Sequence, residues 1–383
     1  MRAAVLHGVG QPFSVEEVDL AEPQANEVLV KVKAVGVCHS DWHLVTGDTK
    51  HPLPLVAGHE GAGIVESTGE GTSRVKPGDT VALNWAPNCG LCFYCENGRP
   101  SLCEAYVGPI WAGTMIDGTT RLSSKGKPLY HYSALACFAD YCVVPEACCV
   151  PMPAEIPFEV SALIGCAVMT GVGSVLNTAQ VKAGSSVAVI GCGGVGLSTI
   201  LGAKLAGAET ILAIDVCESR LATALSLGAT HGILTSPKSV GIAEEIKSHT
   251  EGRGADYVFE AVGKPELQEL ALELARPGGI IVLSGLSANG SATNLPGATL
   301  VRQEKTVMGS YYGTANTARD FPLYGEFWQL GKLPVDQLVS HRYSLDEINQ
   351  AYQDMLEGTS NHGRSRPRRS CFVATTTQVR GID

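Results

Sequence analysis

The first 155 residues carry short segments in which apolar and polar positions alternate or cluster, with glycine and proline turns between them. Residues 28–35 alternate in this way, as a strand does when one of its faces is buried. Residues 61–65 and 80–83 are shorter segments of the same kind, and a turn at residues 76–79 separates them. Many short strands joined by such turns predict a mainly β, barrel-like domain.

From about residue 159 the pattern changes to helix, and strand and helix segments then alternate. Short apolar runs predict buried strands at residues 187–190, 211–215, 232–234, 257–260, 280–284 and 306–309. Residues 197–206 are rich in Leu, Ala and Ile without Pro, which favours a helix. This alternation predicts an α/β fold with a doubly wound parallel sheet. After about residue 313 amphipathic helices return, at residues 321–330 and 345–356.

A glycine-rich turn follows the strand predicted at residues 187–190. Gly191 permits the tight turn, Gly193 lets the backbone approach a pyrophosphate, and Gly196 lets the helix pack on its strand. Asp215 closes the next strand about 20 residues on, where it can bind ribose hydroxyls and repel a 2′-phosphate. The pattern predicts a site for NAD rather than NADP, which includes Gly191, Gly193, Gly194, Val195, Gly196 and Asp215.

Composition and charge exclude several classes of protein. A chain of 383 residues is too long for one ordinary core and suits two domains. A net charge of −10, with no basic block before the C-terminal tail, argues against nucleic acid as a partner. No apolar run reaches the ~20 residues of a membrane span, and the N-terminus lacks the apolar core of a signal peptide. We therefore expect a cytoplasmic protein whose 13 cysteines include metal ligands rather than a disulfide framework.

Four cysteines lie close together in Asn-Cys-Gly-Leu-Cys-Phe-Tyr-Cys and, after seven more residues, Cys. Thiolates at this spacing can surround one tetrahedral zinc ion and close it to water. Such a site stabilises a loop and takes no part in chemistry. The predicted structural zinc ligands are Cys89, Cys92, Cys95 and Cys103.

Three further candidate ligands are far apart in the sequence. Cys38 lies in Gly-Val-Cys-His-Ser-Asp-Trp-His, His59 in Gly-His-Glu-Gly-Ala-Gly, and Cys166 in Leu-Ile-Gly-Cys. Spacing alone does not join them. Two cysteines and one histidine would leave the fourth position of a zinc ion open to water or substrate, as in catalytic sites.

These motifs, together with the four cysteines, resemble the zinc-containing alcohol dehydrogenases of the medium-chain dehydrogenase/reductase superfamily. The resemblance covers residues 1 to about 358, and residues 163–173 are typical of the branch with a cysteine as third ligand. It implies a GroES-like catalytic domain of residues 1–160 and 312–383, with a zinc lobe at about 87–105. It also implies an NAD-binding Rossmann domain of residues 161–311.

The resemblance implies which residues form the open zinc site. Cys38, His59 and Cys166 would hold a catalytic zinc ion, with Glu60 as a neighbouring or transient ligand. Asp41 would orient His59 through the second ring nitrogen. The zinc ion would lower the pKa of a bound alcohol, which then gives a hydride to the nicotinamide.

Ser40 and His43 match the proton relay of the family, in which a hydroxyl takes the alcohol proton and passes it through the ribose to a histidine. Other contacts to NAD are also implied. His39 would lie near the pyrophosphate, Thr170 would face the nicotinamide, and Arg220 would flank the adenine ribose.

Positions that form the substrate pocket in the family are aromatic in this chain. They are Trp85, Tyr132 and Tyr311; Leu286 matches a fourth pocket position and is also assigned to the cofactor site. An aromatic lining favours a flat or apolar group beside the carbinol. We therefore expect primary alcohols of benzyl or medium aliphatic type, and their aldehydes, as substrates.

Three alternatives remain open from the sequence. A related branch oxidises formaldehyde as a thiol adduct; its glutathione form uses an arginine where this chain has Val107, which leaves another thiol carrier possible. A metal-free enone or quinone reductase would keep the glycine turn but lack the ligands of the open zinc site. A non-catalytic zinc-binding protein would need only the four cysteines.

The C-terminal tail departs from the family, because a basic run at residues 363–369 precedes the last apolar segment. Arg364 could contact the pyrophosphate, or the run could be a solvated end. The long loop at residues 113–135 resembles that of dimeric members, so we expect a homodimer, with a tetramer as the alternative.

Overall fold

The computed structural model describes residues 1–236 and 241–357, and the backbone of residues 371–375. Its strands in chain order are β1 (Arg2–Leu6), β2 (Ser14–Glu17), β3 (Asp19–Leu20), β4 (Glu27–Val37), β5 (Leu55–Val56), β6 (Gly61–Thr68), β7 (Thr80–Leu83), β8 (Leu122–Ser124), β9 (Lys127–His131), β10 (Tyr141–Pro145), β11 (Cys149–Pro151), β12 (Ser186–Ile190), β13 (Thr210–Asp215), β14 (His231–Leu234), β15 (Ala255–Glu260), β16 (Ala275–Leu283), β17 (Thr306–Gly309), β18 (Val339–Ser344) and β19 (Cys371–Thr375). Its helices are α1 (His39–Thr46), α2 (Phe93–Glu96), α3 (Glu104–Ala112), α4 (Phe158–Ala179), α5 (Gly194–Leu205), α6 (Glu218–Leu227), α7 (Ile242–Ser248), α8 (Pro265–Leu274), α9 (Gly297–Arg302), α10 (Thr317–Gln329) and α11 (Ile348–Glu357).

Two sheets form the β-rich part of the molecule. One has the order β2-β1-β5-β9-β8-β3, and the other has the order β11-β7-β6-β4-β19-β18, with β10 also paired to β4. Strand β4 alternates as predicted: Val30 and Val32 are fully buried, whereas Lys31 and Lys33 are partly exposed. The strands predicted at residues 28–35, 61–65 and 80–83 are confirmed as β4, β6 and β7.

The third sheet is parallel throughout and has the order β14-β13-β12-β15-β16-β17. All six strands predicted for it are present. The order reverses between β12 and β15, and in a doubly wound sheet this switch point leaves a crevice at the carboxyl ends of the strands. The predicted fold class, a doubly wound α/β sheet beside a mainly β region, is confirmed.

Helix α4 is long and apolar, and its mean hydropathy of 1.7 would suffice for a membrane span by length and composition alone. The prediction that no apolar segment is long enough to span a membrane is wrong for α4, which has 22 residues. Isolated residues such as Glu159 and Thr170 interrupt its apolar runs in the sequence without ending the helix. Of its most apolar window, 83% is buried inside the protein. It packs against β4, β6 and α5, which is the environment of a core helix.

Three other local features differ from the sequence analysis. Helices α1 and α3 were not predicted, and α1 carries the residues that follow Cys38. The region at 113–135 is not simply a loop, because β8 and β9 pair within it as an antiparallel hairpin. The basic run with Arg364 lies outside the described residues, whereas the apolar segment after it is β19, paired with β4 and β18.

Candidate functional site

A cleft of about 2050 Å³ lies between the β-rich region and the carboxyl edge of the parallel sheet. Its walls come from α1, α4, the glycine turn before α5, and the ends of β13, β16 and β17. The cleft therefore joins segments that are far apart in the sequence, and most of the predicted site residues line it.

The structure brings Cys38, His59, Glu60 and Cys166 together at the inner end of this cleft. One ligand atom from each lies within 4.8 Å of the others. Cys166 Sγ lies 3.4 Å from His59 Nε2. His59, Glu60 and Cys166 are buried, and Cys38 is partly exposed to the cleft. We call these four residues the buried cluster.

Asp41 lies behind His59. Asp41 Oδ2 is 3.0 Å from His59 Nδ1, and Asp41 Oδ1 accepts a hydrogen bond of 2.8 Å from the Gly58 amide. Because Nδ1 faces this carboxylate, Nε2 is the ring nitrogen that faces Cys166. The imidazole is thus fixed in the orientation that a metal ligand requires.

Gly36 makes room for the Glu60 side chain. A Cβ atom at Gly36 would collide with the Glu60 carboxylate. Glu60 is only 2% exposed. Burial, together with the nearby charge of Cys38, holds the pKa of Glu60 well above its usual value.

The pKa values in the buried cluster reflect competition between acidic groups. A hydrogen bond from Cys166 lowers the pKa of Cys38 well below its usual value, and the same contact, with burial, raises the pKa of Cys166. Burial by itself lowers the pKa of His59, but the charges of Asp41 and Cys38 outweigh it and raise that pKa. A divalent cation would relieve this competition by binding the thiolates and the neutral imidazole.

The donor set fits zinc. In a tetrahedral site with Zn–S of about 2.3 Å and Zn–N of about 2.0 Å, a ligand sulfur and nitrogen are about 3.5 Å apart. The contact between Cys166 and His59 has this length. Two thiols and one imidazole, with a carboxylate adjacent, bind zinc in preference to magnesium or calcium, which favour oxygen ligands.

Cys89, Cys92, Cys95 and Cys103 form a second group, whose sulfur atoms also lie within 4.8 Å of one another. The Sγ atoms of Cys92 and Cys95 are 3.4 Å apart, and those of Cys92 and Cys103 are 3.9 Å apart. A tetrahedral zinc ion separates its sulfur ligands by about 3.8 Å, so this group also fits zinc. The amides of Leu91 and Cys89 donate to Cys89 Sγ and Cys103 Sγ, which stabilises thiolates.

Helix α1 carries Ser40 and His43 three residues apart, so both side chains lie on one face of the helix and both line the cleft. Ser40 Oγ is 3.7 Å from Cys38 Sγ. The Tyr132 hydroxyl donates a 3.3 Å hydrogen bond to the Ser40 carbonyl. Tyr132 therefore fixes the start of the helix as well as lining the cleft.

The glycine turn lies at the outer part of the cleft. Gly191 has a φ of +90°, and a Cβ atom at Gly196 would collide with the Gly191 carbonyl, so both positions require glycine. A Cβ atom at Gly193 would meet no atom within 4 Å, because this position faces the open cleft. The backbone of the turn, with Gly194 and Val195, is thus accessible to a ligand.

Asp215 ends β13 beside this turn. Asp215 Oδ2 accepts a 2.7 Å hydrogen bond from the Cys192 amide, and Oδ1 accepts one of 2.9 Å from the Cys217 amide. The Arg220 guanidinium lies 3.9 Å from Asp215 Oδ2. Asp215 is 5% exposed and lines the cleft, so its negative charge can interact with a ligand bound at the glycine turn.

The other predicted cofactor residues line the same cleft. They are His39, Thr170, Arg220 and Leu286. Thr170 is 8% exposed within α4, whereas Leu286 is 56% exposed at the rim.

Aromatic side chains surround His59. The rings of Trp85 and Tyr132 stand edge-on to its imidazole, with centroids 6.2 and 5.4 Å away. Tyr311 packs edge-on against Trp85 at 5.3 Å. Beside the buried cluster, the cleft is therefore walled by the three aromatic residues that the sequence analysis singled out.

Two residues that line the cleft, Arg99 and Tyr312, and one beside it, Asp48, were not predicted. Asp48 Oδ2 lies 3.2 Å from His43 Nδ1. Arg99, from the four-cysteine segment, lines the cleft and forms no ion pair within the described residues. Tyr312 lies tilted on Trp85 with centroids 4.3 Å apart and donates a hydrogen bond to the Gly165 carbonyl. Of these three residues, only Asp48 carried a signal in the sequence. It begins the polar segment Asp-Thr-Lys-His, which follows Gly47 and is typical of a turn close to His43.

Comparison with known proteins places this site in a family. The model described as "Alcohol dehydrogenase GroES-like domain" matches residues 24–154, and the model described as "Zinc-binding dehydrogenase" matches residues 194–327. The chain is 37% identical to an "NDMA-dependent alcohol dehydrogenase" of Amycolatopsis methanolica over 94% of its own length and 97% of the relative's. It is 38% identical to an "Alcohol dehydrogenase class-3" of Myxine glutinosa, with 94% and 96% covered.

Solved structures agree with this placement. The chain resembles the crystal structure of benzyl alcohol dehydrogenase from Acinetobacter calcoaceticus with a TM-score of 0.90 and 33% identity, over 98% of this chain and 99% of that one. This relationship excludes the hypothesis of a non-catalytic zinc-binding protein, and the presence of the buried cluster argues against a metal-free reductase. The chain belongs to the zinc-dependent alcohol dehydrogenases of the medium-chain dehydrogenase/reductase superfamily.

Proposed function

We propose that this enzyme interconverts primary alcohols and aldehydes with NAD as the hydride carrier, and that each chain holds one catalytic and one structural zinc ion. The observation that carries the proposal is that one cleft of about 2050 Å³ contains both the buried cluster and the glycine turn with Asp215. A metal ligand set and a dinucleotide-binding turn in one cleft allow a substrate and a nicotinamide to meet.

Cys38, His59 and Cys166 would hold the catalytic zinc ion, with Glu60 close enough to join or leave the ligand set. When bound, this ion supplies Lewis acidity that lowers the pKa of an alcohol. Asp41 orients His59, and the burial of the cluster keeps bulk water away from the reacting carbon. The four cysteines at residues 89–103 would hold the structural zinc ion.

Ser40 and His43 would move the proton that the alcohol loses. The Ser40 hydroxyl lies at the buried cluster and can accept this proton, while His43 lies three residues along α1 towards the solvent. The imidazole of His43 is 25% exposed, so a proton held there can pass to water.

The charge of Asp215 favours NAD over NADP as the cofactor. When bound, NAD supplies the hydride acceptor. A buried carboxylate at the end of β13 favours ribose hydroxyls and repels a 2′-phosphate. Gly191, Gly193, Gly194, Val195 and Gly196 would bind the pyrophosphate, and His39, Thr170, Arg220 and Leu286 would complete the cofactor site.

The substrate class follows from the aromatic wall. Trp85, Tyr132 and Tyr311 give the space beside the buried cluster an aromatic wall. Such a space favours benzyl-type or medium aliphatic alcohols over ethanol. The structural similarity to a benzyl alcohol dehydrogenase supports this class.

A second candidate substrate is a thiol adduct of formaldehyde. Arg99 favours it, because its guanidinium lies on the cleft wall, forms no ion pair with the residues that the structure describes, and could bind the carboxylate of a thiol carrier. Val107 occupies the place where the glutathione-dependent form has an arginine, so Arg99 would have to replace that function.

One substrate screen separates these candidates. NADH formation is measured with benzyl alcohol, hexanol, ethanol and S-hydroxymethylglutathione, for the wild-type enzyme and for Arg99→Gln. A higher kcat/KM for benzyl alcohol than for ethanol, unchanged by Arg99→Gln, supports the aromatic alcohol. A preference for the adduct that Arg99→Gln abolishes supports the thiol carrier. No NADH from any of the four would overturn the proposal.

The domain boundaries, assembly and location are further parts of the proposal. Residues 1–160 and 312–383 would form the catalytic domain, and residues 161–311 the NAD-binding domain. The strand β17 lies at the edge of the parallel sheet, where a second chain can extend the sheet into a homodimer. The acidic net charge of −10 and the thiol-based metal sites suit a cytoplasmic enzyme.

A further inference from the structure

His43 has a partner that the relay motif does not contain. Asp48, five residues later, places its Oδ2 atom 3.2 Å from His43 Nδ1. The same oxygen accepts a 2.6 Å hydrogen bond from the Thr46 hydroxyl. The carboxylate of Asp48 is 42% exposed and the imidazole 25%, so the pair lies at the boundary between the cleft and the solvent.

The backbone after α1 determines where Asp48 lies. The helix ends at Gly47, which has a φ of +80° and turns the chain back along the last turn. The Thr49 amide then donates a 3.0 Å hydrogen bond to the His43 carbonyl. Asp48 lies between Gly47 and Thr49, so the main chain and the Thr46 hydroxyl hold it next to the imidazole.

The contact determines the protonation pattern of the ring. An ionised carboxylate only accepts hydrogen bonds, so the nitrogen that faces Asp48 must carry the proton. In a neutral imidazole the other nitrogen, Nε2, then has a free lone pair. His43 lines the cleft, and Nε2 is the nitrogen not engaged by Asp48.

We infer that Asp48 is a positioning residue, which holds His43 in the tautomer whose Nε2 atom can accept a proton from the cleft. After Nε2 accepts that proton, the imidazolium gives up a proton to water and the neutral ring is restored, so no other reactant is needed. The inference rests on the proposed relay function of His43. It adds that Asp48 determines which ring nitrogen of His43, Nε2 rather than Nδ1, accepts the proton from the cleft.

The first test reads the tautomer directly and needs neither substrate nor cofactor. ¹⁵N-histidine NMR is recorded on the zinc-loaded protein at pH 8, and the His43 signal among the 10 histidines is assigned with His43→Gln. We expect the Nδ1–H tautomer in the wild type and the Nε2–H tautomer in Asp48→Asn, because the Asn amide can donate to Nδ1. The Nε2–H tautomer in the wild type would overturn the inference.

The second test is a double-mutant cycle on alcohol oxidation. His43→Gln and Asp48→Asn should each lower kcat by about tenfold or more, with KM little changed, because general acid–base groups contribute ~10²-fold or more. The double variant should be no slower than His43→Gln, since Asp48 acts through His43. Asp48→Glu should restore part of the rate, and Asp346→Asn, which removes an exposed carboxylate paired with Arg2, is the matched control.

The outcomes distinguish the inference from the proposal on which it rests. If His43→Gln oxidises alcohols at the wild-type rate, the relay itself is wrong. If His43→Gln is slow but Asp48→Asn is not, only the function assigned to Asp48 is wrong. Additive losses in the double variant, with equal melting temperatures, would also contradict it, because they would mean that Asp48 acts independently of His43.

Discussion

Asp41 Oδ2 lies 3.0 Å from Nδ1 of His59, and neither side chain is more than 4% exposed. These two residues come from different parts of the chain: Asp41 from α1 and His59 from the loop before β6. The contact links the helix that carries the proposed proton relay to the residue that would bind the catalytic zinc ion. A change at Asp41 should therefore affect metal binding, although Asp41 itself is no ligand.

We expect Asp41→Asn to weaken binding at the catalytic metal site by about 10- to 100-fold, the usual cost of losing a carboxylate partner of a ligating histidine. The Asn side chain can still accept the hydrogen bond from Gly58, so the fold should be kept. Zinc affinity is measured by competition with a chromophoric chelator. An affinity equal to that of the wild type would mean that Asp41 does not orient His59.

The two metal sites should respond differently to the loss of one thiol. Cys166→Ser should lose the zinc ion of the buried cluster and the dehydrogenase activity, with little change in melting temperature. Cys92→Ser should lose the other zinc ion and lower the melting temperature, because the four-cysteine segment has few apolar contacts: Leu91 and Phe93 are 81% and 64% exposed. Elemental analysis with thermal unfolding tests both, and full zinc content in either variant would count against that site.

Asp215→Asn should relax the preference between NAD and NADP. The substitution removes the charge that repels a 2′-phosphate, and its one oxygen can accept from only one of the Cys192 and Cys217 amides, which now donate to Oδ2 and Oδ1. We expect the ratio of kcat/KM for NADP to that for NAD to rise by about tenfold or more, equivalent to about 1.4 kcal/mol. Glu218→Gln, an exposed acidic residue that also lines the cleft, is the control, and an equal effect there would point to general electrostatics.

The stability of the protein should fall at mildly acidic pH because of His131. Burial, together with the charge of Arg121, lowers the pKa of this histidine to about 4. Below the ordinary histidine pKa of about 6.5 the unfolded chain takes up a proton that the folded chain cannot. The stability that neutral His131 provides is therefore present above about pH 6.5 and is lost as the pH falls towards about 4.

The expected loss is about 3 kcal/mol over this range, at about 1.4 kcal/mol for each pH unit. Urea unfolding at several pH values measures it. His131→Gln, whose Oε1 atom reaches the place of Nε2, can still accept the hydrogen bond that the Arg121 amide donates there, and it does not titrate. The pH dependence of this variant should be shallower by that amount, and an unchanged slope would show that other groups are responsible.

Much of the fold was predictable because its signals are local. A buried strand, a glycine turn, a helix and a second strand ending in Asp215 follow one another within residues 186–215, and each has its own pattern. Helix α1 was missed because its amphipathic pattern is short and polar. The apolar length of α4 was underestimated because single polar residues interrupt it and are buried among its neighbours.

The sequence by itself determined the four-cysteine group, because all its ligands lie within residues 89–103 and a zinc ion there needs only local chain geometry. Cys38, His59 and Cys166 are up to 128 residues apart, and no local pattern joins them. Only tertiary packing decided that they meet, because α4 lies against β4 and β6 and brings Cys166 to the residues that follow and precede those strands. The contact between Asp48 and His43 was likewise decided by the left-handed turn at Gly47, which directs the carboxylate back onto the helix.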